Sequence, residues 1–148
     1  LTFRVKDTFG KVEYNGRGDI ETYNDRKAAG FIGHYKTTAE AMFHYYVKPQ
    51  ATGNRTDVRW VSISDTRNRL IVAAKSPFQF SVTPFSDSVI DRATHINQLS
   101  RDGLLTVHLD ANQSGVGTAT CGPGVAEKYR VPVKPTSFEF VLYPAMAK

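Results

Sequence analysis

Phe78-Gln79-Phe80-Ser81-Val82 places apolar side chains at every second position, and Phe138-Glu139-Phe140-Val141-Leu142 repeats the phenylalanine spacing late in the chain. Successive side chains of a strand point to opposite faces of its sheet. The two phenylalanines of each segment therefore face the same way, and we expect them to be packing residues in a core. This spacing predicts strands.

Other short runs are rich in aromatic and β-branched residues and are separated by turn residues, which is typical of all-β proteins. The predicted strands are Leu1 to Val5, Phe31 to Tyr35, Ala41 to Val47, Val58 to Ser64, Leu70 to Ala74, Phe78 to Val82, Leu104 to Leu109 and Phe138 to Tyr143. Helical spacing occurs only from Ser88 to Leu99, after the candidate caps Ser86 and Asp87. The sequence predicts an antiparallel all-β fold with at most one short helix.

The chain has 148 residues, of which 41% are hydrophobic, and this suits one domain, residues 1–148, with a substantial core. Because it starts at Leu1 rather than methionine, we expect it to be a piece of a longer protein. It has no apolar run near the roughly 20 residues that span a bilayer, so we expect no membrane contact. We expect a soluble protein, cytoplasmic or periplasmic.

The net charge of +5 and the pI near 9.4 raise the question of nucleic-acid binding. Basic residues are interspersed with acids, as in Asp65-Thr66-Arg67-Asn68-Arg69, and form no basic stripe. We therefore expect no nucleic-acid partner. The single cysteine, Cys121, excludes an internal disulfide and a cysteine zinc cage. His34, His44, His95 and His108 lack close metal-ligand spacing, and so no metal site is predicted.

Three motifs carry most of the functional information. They are Gly16-Arg17-Gly18-Asp19-Ile20-Glu21-Thr22-Tyr23-Asn24-Asp25-Arg26 (the first motif), Pro49-Gln50-Ala51-Thr52-Gly53-Asn54-Arg55-Thr56-Asp57-Val58-Arg59-Trp60 (the second) and Gly115-Val116-Gly117-Thr118-Ala119-Thr120-Cys121-Gly122-Pro123-Gly124 (the third). In this order they resemble the C-terminal small-chain domain of glycoside hydrolase family 2 β-galactosidases. The resemblance runs from about Val12 to Pro144.

The matching residues include Gly16, Gly18, Glu21, Tyr23, Asp25 and Arg26 in the first motif and Asn54, Arg55, Arg59 and Trp60 in the second. We expect them to be structural. Asp19 stands where the family usually has proline, which predicts a looser turn, and Ala51 replaces a usual glutamate. Tyr14 and Asn15 stand where the family prefers tryptophan and another aromatic residue, so this strand end is less bulky.

The resemblance implies the C-terminal part of a large antiparallel sandwich of the galactose-mutarotase type. It also implies a parent enzyme that hydrolyses terminal β-galactosides with a glutamate pair on a separate barrel domain. We therefore expect no catalytic residue, metal or cofactor in this chain, and the isolated chain to be inactive. Any divalent or monovalent cation of the parent would bind elsewhere. The implied partners are the remaining domains and, through the parent's site, the galactoside.

In family members the third motif reaches the mouth of the active site, where some place an aromatic ring and others a cysteine. Thr120, Cys121 and Gly122 are therefore the candidate pocket residues, and cysteine would leave a roomier edge than tryptophan. The alternative is that Cys121 is a small apolar residue that closes the turn before Gly122. The sequence leaves both interpretations open.

Glu21 and Asp25 invite comparison with the carboxylate pair of a retaining glycosidase, which lies roughly 5–5.5 Å apart. In an extended segment their backbones would be separated by roughly 13 Å, which excludes that geometry. We expect these carboxylates instead to accept hydrogen bonds from loop amides or to pair with Arg26 or Arg59. Gly16-Arg17-Gly18 lacks the features of a phosphate-binding loop, and its glycines indicate a tight turn.

Two other functions remain as alternatives. A carbohydrate-binding module would need an exposed aromatic platform, for which Trp60, Tyr23 and Tyr45 are candidates, although Trp60 is expected to be largely buried. A mutarotase-like epimerase would need an acid and a base that converge on one sugar, for which His95 and Glu21 are candidates.

An incomplete sandwich leaves strand edges unpaired, and unpaired edges recruit other strands. We therefore expect self-association through an exposed sheet edge or face, for which Leu1-Thr2-Phe3-Arg4-Val5 is a candidate added strand, unless this segment folds back to close the sheet within its own chain.

Overall fold

The computed structural model describes residues 1–116 and 124–147. The strands are β1 (Thr2–Lys6), β2 (Lys11–Arg17), β3 (Ile32–Thr38), β4 (Arg55–Ser64), β5 (Asn68–Thr83), β6 (Leu104–Asp110) and β7 (Phe140–Met146). The helices are α1 (Ala39–Met42) and α2 (Asp87–Arg92), and 3₁₀ turns occupy Asp7–Phe9, Ile96–Gln98 and Glu127–Tyr129. No helix within the described ranges is long and apolar enough to cross a membrane.

All strand pairings are antiparallel and form one sheet in the order β1-β6-β5-β4-β2-β3, with β7 also paired to β5. β5 is long enough to pair with β7 through its first half and with β6 through its second half. The predicted antiparallel all-β, sandwich-like class is confirmed.

One apolar cluster fills the interior of this sheet. Its buried members on the central strands include Val58, Val61, Val72, Phe80 and Leu109. Side chains from both edge strands, β1 and β3, also pack against the cluster. The sheet therefore curls around one core, and the phenylalanine alternation of Phe78 and Phe80 places both rings in it, as predicted.

β5 joins two predicted strands into one. Ala73 pairs with Trp60, while Phe78 pairs with Val58, so the intervening residues of β5 bulge away from β4. Pro77 lies in this bulge, where its missing N–H costs the ladder no bond to β4. The predicted strands Leu70 to Ala74 and Phe78 to Val82 are therefore separated by a bulge and not by a turn. Strand β2 was not predicted from the sequence.

β4 contains a second irregularity, which moves Trp60. The register between β4 and β5 shifts on both sides of Val58, and Asp57 has φ +54°. As a result Val58 and Val61 both point into the core, and Trp60 faces away from Val58. The prediction that Val58, Trp60 and Ser62 share a face was wrong because simple alternation does not survive a bulge.

The predicted strand from Ala41 to Val47 is wrong. The Thr38 hydroxyl accepts a hydrogen bond from the Ala41 amide and caps α1, and irregular backbone follows. Phe43 then leaves the sheet and packs in a second cluster with Phe85 and Ile90. Tertiary packing has overridden the strand propensity of the aromatic residues.

The prediction of at most one short helix was also wrong, because two short helices are present. Ser86 is the N-cap of α2, as expected, but the helix ends at Arg92 and not near Leu99. A separate 3₁₀ turn, Ile96–Gln98, follows. The apolar residues that suggested one helix from Ser88 to Leu99 therefore belong to helix α2 and to this separate 3₁₀ turn. Ile90 of α2 is buried, and Leu99 packs against the same cluster.

The N-terminal segment folds back onto its own sheet. β1 pairs with β6 from Thr2 opposite His108 to Lys6 opposite Leu104. The Leu1 carbonyl also accepts a hydrogen bond of 2.8 Å from the Leu109 amide. β1 is therefore paired on one side, but it lies at the end of the strand order and does not close the sheet, so self-association stays a prediction.

Candidate functional site

The first motif follows β2 and turns back on itself. Gly18 has φ +150°, and a side chain at this position would collide with the Tyr14 hydroxyl. Tyr23 and Arg26 then pair through backbone hydrogen bonds of 3.1 and 2.9 Å. The motif is a closed loop and not the extended segment assumed from the sequence.

Glu21 joins the first motif to the second. Its Oε2 accepts hydrogen bonds from the Thr52 hydroxyl at 2.5 Å and from the Gly53 amide at 2.6 Å. Its Oε1 accepts from the Tyr46 hydroxyl at 3.0 Å and from Arg26 Nη1 at 2.8 Å. The side chain is only 11% exposed, so protein groups have replaced most of its water.

The environment of Glu21 favours its ionised form. Burial by itself raises the pKa of this carboxyl, but the hydrogen bonds from Thr52, Gly53 and Tyr46 and the charge of Arg26 outweigh it, so the pKa lies below its ordinary value. Tyr23 is buried, and burial together with the neighbouring carboxylate raises the pKa of its hydroxyl. Glu21 is therefore a fixed acceptor at neutral pH.

Arg55 of the second motif holds the same loop from the other side. Its guanidinium donates to the carbonyls of Asp19 and Gly53, both at 3.0 Å, and to the Tyr14 hydroxyl at 3.0 Å. The residue is only 3% exposed. A buried guanidinium that donates to backbone carbonyls fixes the path of those backbones.

A chain of side-chain amides runs from the second motif toward the third. Asn54 Nδ2 donates to Gln79 Oε1 at 2.8 Å, and Gln79 Nε2 donates to Asn24 Oδ1 at 3.1 Å and Asn112 Oδ1 at 3.0 Å. Asn24 Nδ2 continues to the Gln113 carbonyl at 2.6 Å. One network of hydrogen bonds thus connects both motifs with the segment that leads into the third.

Asp25 binds the start of the third motif directly. Its Oδ1 accepts a hydrogen bond of 3.0 Å from the Val116 amide. The neighbouring Gly115 amide donates to the Tyr129 carbonyl at 3.1 Å. The predicted pocket residues Thr120, Cys121 and Gly122 lie outside the described residues. The structure nevertheless brings the base of the third motif against the first.

The structure corrects the geometric argument about Glu21 and Asp25. Because the segment turns between Tyr23 and Arg26, the distance expected for an extended chain does not apply. The two carboxylates instead have separate partners, since Glu21 binds the second motif and Asp25 binds the third. Of the two arginines predicted to pair with these carboxylates, Arg26 forms an ion pair with Glu21. Arg59 instead donates a hydrogen bond of 3.4 Å to the Asp57 carbonyl.

The three candidate aromatics for sugar stacking are in different surroundings. Tyr23 is 6% exposed and so offers no free ring face. Trp60 is partly buried, with the His34 ring 5.3 Å away in an edge arrangement. Tyr45 is 41% exposed, and its hydroxyl donates to Glu40. These rings do not form a shared platform.

His95 and Glu21, the candidate acid and base of a mutarotase-like epimerase, also lie in different surroundings. His95 Nδ1 lies 3.0 Å from the hydroxyl of Thr94 beside a 3₁₀ turn, whereas Glu21 is enclosed by the second motif. His34 and His108 are paired with Glu13 and Asp87, respectively. Within residues 1–116 and 124–147, no three His, Cys, Asp or Glu side chains are placed to hold a metal ion.

Sequence reasoning missed several residues of this site. Thr52 and Tyr46 bind Glu21, and Gln79 and Asn112 join the amide chain. The sequence did offer one signal for Gln79, since this polar residue stands between two phenylalanines of a predicted strand. In the structure Gln79 is only 5% exposed, although its side chain lies on the face opposite the core. A buried polar residue of this kind requires partners.

The sequence profile of the family described as beta galactosidase small chain matches residues 1–142 of this chain. A β-galactosidase of Staphylococcus xylosus is 31% identical over 142 residues, which are 96% of this chain and 14% of the relative. A β-galactosidase of Kluyveromyces lactis is 33% identical over 144 residues, 95% of this chain and 14% of the relative.

A β-galactosidase of Actinobacillus pleuropneumoniae is 30% identical over 131 residues, 88% of this chain and 13% of the relative. The matches therefore cover nearly all of this chain but only a small part of each relative.

Proposed function

Because this chain belongs to the β-galactosidase small-chain family, we propose that it is one accessory domain, residues 1–148, at the C-terminal end of a β-galactosidase. The parent would hydrolyse terminal β-galactosides with catalytic glutamates outside this chain. The domain would pack against the rest of the enzyme and present the third motif, with Thr120, Cys121 and Gly122, to the substrate pocket.

One observation carries the proposal: the first motif binds both other motifs. Glu21 accepts from the Gly53 amide of the second, and Asp25 accepts from the Val116 amide of the third. Such bonds to backbone amides position loops. They support a role in holding the third motif in place for the parent enzyme.

The protonation of Glu21 supports a positioning role over an acid–base role. A general acid that works near neutral pH needs a raised pKa, whereas the pKa of Glu21 lies below its ordinary value. Its carboxylate oxygens are also occupied by Thr52, Gly53, Tyr46 and Arg26. A sugar would have to displace these groups to reach it.

Hydrolysis of a chromogenic β-galactoside tests the proposal. The complete parent enzyme should hydrolyse it, and the isolated chain at high concentration should not. A parent truncated before this chain is the matched control, and it should lose activity because the loop and the domain contacts are lost. Turnover by the isolated chain, or full activity of the truncated parent, would overturn the proposal.

A substitution in the complete enzyme tests the proposed loop. Cys121→Trp should narrow the pocket mouth and add a stacking surface, so it should change KM more than kcat. An aromatic contact contributes about 1 kcal/mol beyond burial, which is roughly a fivefold change in KM. Unchanged KM and kcat for galactosides of several lengths would show that Cys121 only closes a turn.

We propose that any self-association uses β7 and not β1. Among the described strands β1, β3 and β7 each pair with a single neighbour. β7 differs from β1 in its apolar surface, because Val141, Leu142 and Tyr143 are each more than 40% exposed, whereas Phe3 and Val5 of β1 pack against the core. Light scattering over a dilution series should therefore detect dimers that Tyr143→Lys abolishes. A strict monomer at the highest soluble concentration would contradict this.

A further inference from the structure

A groove with both polar and apolar lining lies on the face of the sheet opposite the core. It encloses about 470 Å³, within the roughly 300–1,000 Å³ typical of small-molecule sites. Ser81 and Thr83 of β5 line its base, α2 forms one wall, and residues 48–52 of the second motif form another. Three separate parts of the fold thus converge on one space.

Ser81 is the most informative residue of the groove. It is 7% exposed and lines the space, yet its hydroxyl makes no hydrogen bond within the part of the chain that the structure describes. In contrast, the neighbouring Thr83 hydroxyl donates to the Phe85 carbonyl at 2.7 Å. The Ser81 hydroxyl is not among the buried polar atoms that lack a partner, so it is reachable from the groove and can bind a ligand group without giving up a bond within the protein.

The rim of the groove carries both signs of charge. Asp87 and Asp91 of α2 lie on one side, and Lys48 and His108 also line the groove. Asp87 is held by His108, with Oδ1 3.0 Å from Nε2. Two carboxylates repel an anionic ligand, while their oxygens accept hydrogen bonds from hydroxyl groups. Ile90 adds an apolar contact.

We propose that this groove binds a neutral polyhydroxylated ligand of about monosaccharide size. Ser81 would exchange a hydrogen bond with one ligand hydroxyl, Asp91 would accept from others, and Ile90 would contact the ligand's C–H face. The described lining contains no Phe, Tyr or Trp ring on which a sugar could stack, which indicates weak, millimolar binding. The choice of a galactoside as the probe rests on the proposed function, but the chemistry of the groove does not.

The test is a titration of the 148-residue chain with methyl β-galactoside, followed by amide chemical shifts. Saturable shifts should cluster at Ser81, Asp91 and the segment around Ala51. Ser81→Ala should weaken binding at least fivefold, and Ser81→Val, which also fills the space, should abolish saturation. Ser76→Val, on an exposed site of the same strand, is the matched control and should bind normally.

Glucose, phosphate and glycerol are parallel titrants. Neutral sugars should bind more tightly than phosphate, and glycerol should bind least because it presents fewer hydroxyls. Shifts that do not saturate, shifts centred on Trp60, tighter phosphate binding or equal binding by Ser81→Val would each overturn the proposal.

A crystal of the complete enzyme soaked in the same galactoside gives a second measurement that does not require the isolated chain to fold. It should show the sugar beside Ser81. An active enzyme without sugar in this groove would overturn this inference and leave the proposed function intact, whereas an inactive parent would contradict only the proposed function.

Discussion

The apolar interior of the curled sheet and the polar end where the motifs meet are held together in different ways. In the interior, Phe78, Phe80 and Val82 come from one alternating segment and face one core. At the polar end, Glu21 bonds to a residue 31 positions away, and Asp25 bonds to one 91 positions away. The interior follows from local pattern, while the polar end depends on long-range partners.

This difference has an energetic counterpart. Burial of an apolar side chain stabilises in proportion to the area removed from water, so similar residues can replace one another. A hydrogen bond replaces bonds to water and contributes only about 0.5–1.5 kcal/mol net, but a buried donor left without its acceptor costs more. The interior should tolerate apolar exchange, whereas the polar end should tolerate little change.

Phe80→Ala removes a ring from the apolar interior, and we expect it to lower the free energy of unfolding more than any other substitution considered. The side chain is fully buried, and its ring lies 5.2 Å from that of Tyr14. Removal should lower the free energy of unfolding by about 3–5 kcal/mol through lost burial and a cavity. Denaturant unfolding measures this, with the half-exposed Val141→Ala as control. A loss below about 1 kcal/mol would show that the core is elsewhere.

Glu21→Ala breaks the polar end. The change leaves the Thr52 hydroxyl, the Gly53 amide and the Tyr46 hydroxyl without their acceptor, and it should cost about 2–3 kcal/mol in unfolding free energy. The exposed Glu139→Ala should cost little by the same measurement. If the two substitutions lowered the unfolding free energy by the same amount, Glu21 would be no more important for stability than an exposed acid, and this account of the polar end would be wrong.

The pH dependence of stability sharpens the comparison. The folded-state pKa of Glu21 lies below its ordinary value of 4.5, so its contribution is present above that pH and is lost as pH falls through the folded pKa. Asp57, bound by Arg17 and Lys27, behaves likewise below 3.8. Unfolding free energy should therefore fall in acid, and Glu21→Gln should flatten this decline. An unchanged acid slope in Glu21→Gln would contradict the assignment.

The sequence predicted the parts of the fold that depend on alternation. Phe78 and Phe80 are in the core, and the all-β class is confirmed. It failed where tertiary contacts decide, because Phe43 leaves the sheet for a cluster with Phe85. It also failed at Trp60, since the bulge beside Asp57 has no signature in the local pattern.

The site was predictable in its residue types but not in its connections. The resemblance identified Glu21 and Asp25, and the chemistry of carboxylates indicated that they would bind loop amides, as they do. Which amides they bind follows only from the folded chain, since the partners of Asp25 and Asn24 lie about 90 residues away. The amide chain through Gln79 depends on the same long-range placement.

The central claim is that the first motif positions the third for the parent's substrate pocket. Asp25→Ala in the complete enzyme tests it, because the carboxylate accepts from the Val116 amide. Asp65→Ala is the control, since Asp65 caps the amides of Arg67 and Asn68 in a different loop.

Steady-state kinetics with a chromogenic β-galactoside gives the decisive result. Asp25→Ala should raise KM several-fold with kcat nearly unchanged, as expected when substrate and transition state lose the same contact, and Asp65→Ala should change neither. A large fall in kcat at constant KM would instead show that the first motif supports an interaction made only in the transition state, and unchanged kinetics in both variants would contradict the claim that the first motif serves the pocket.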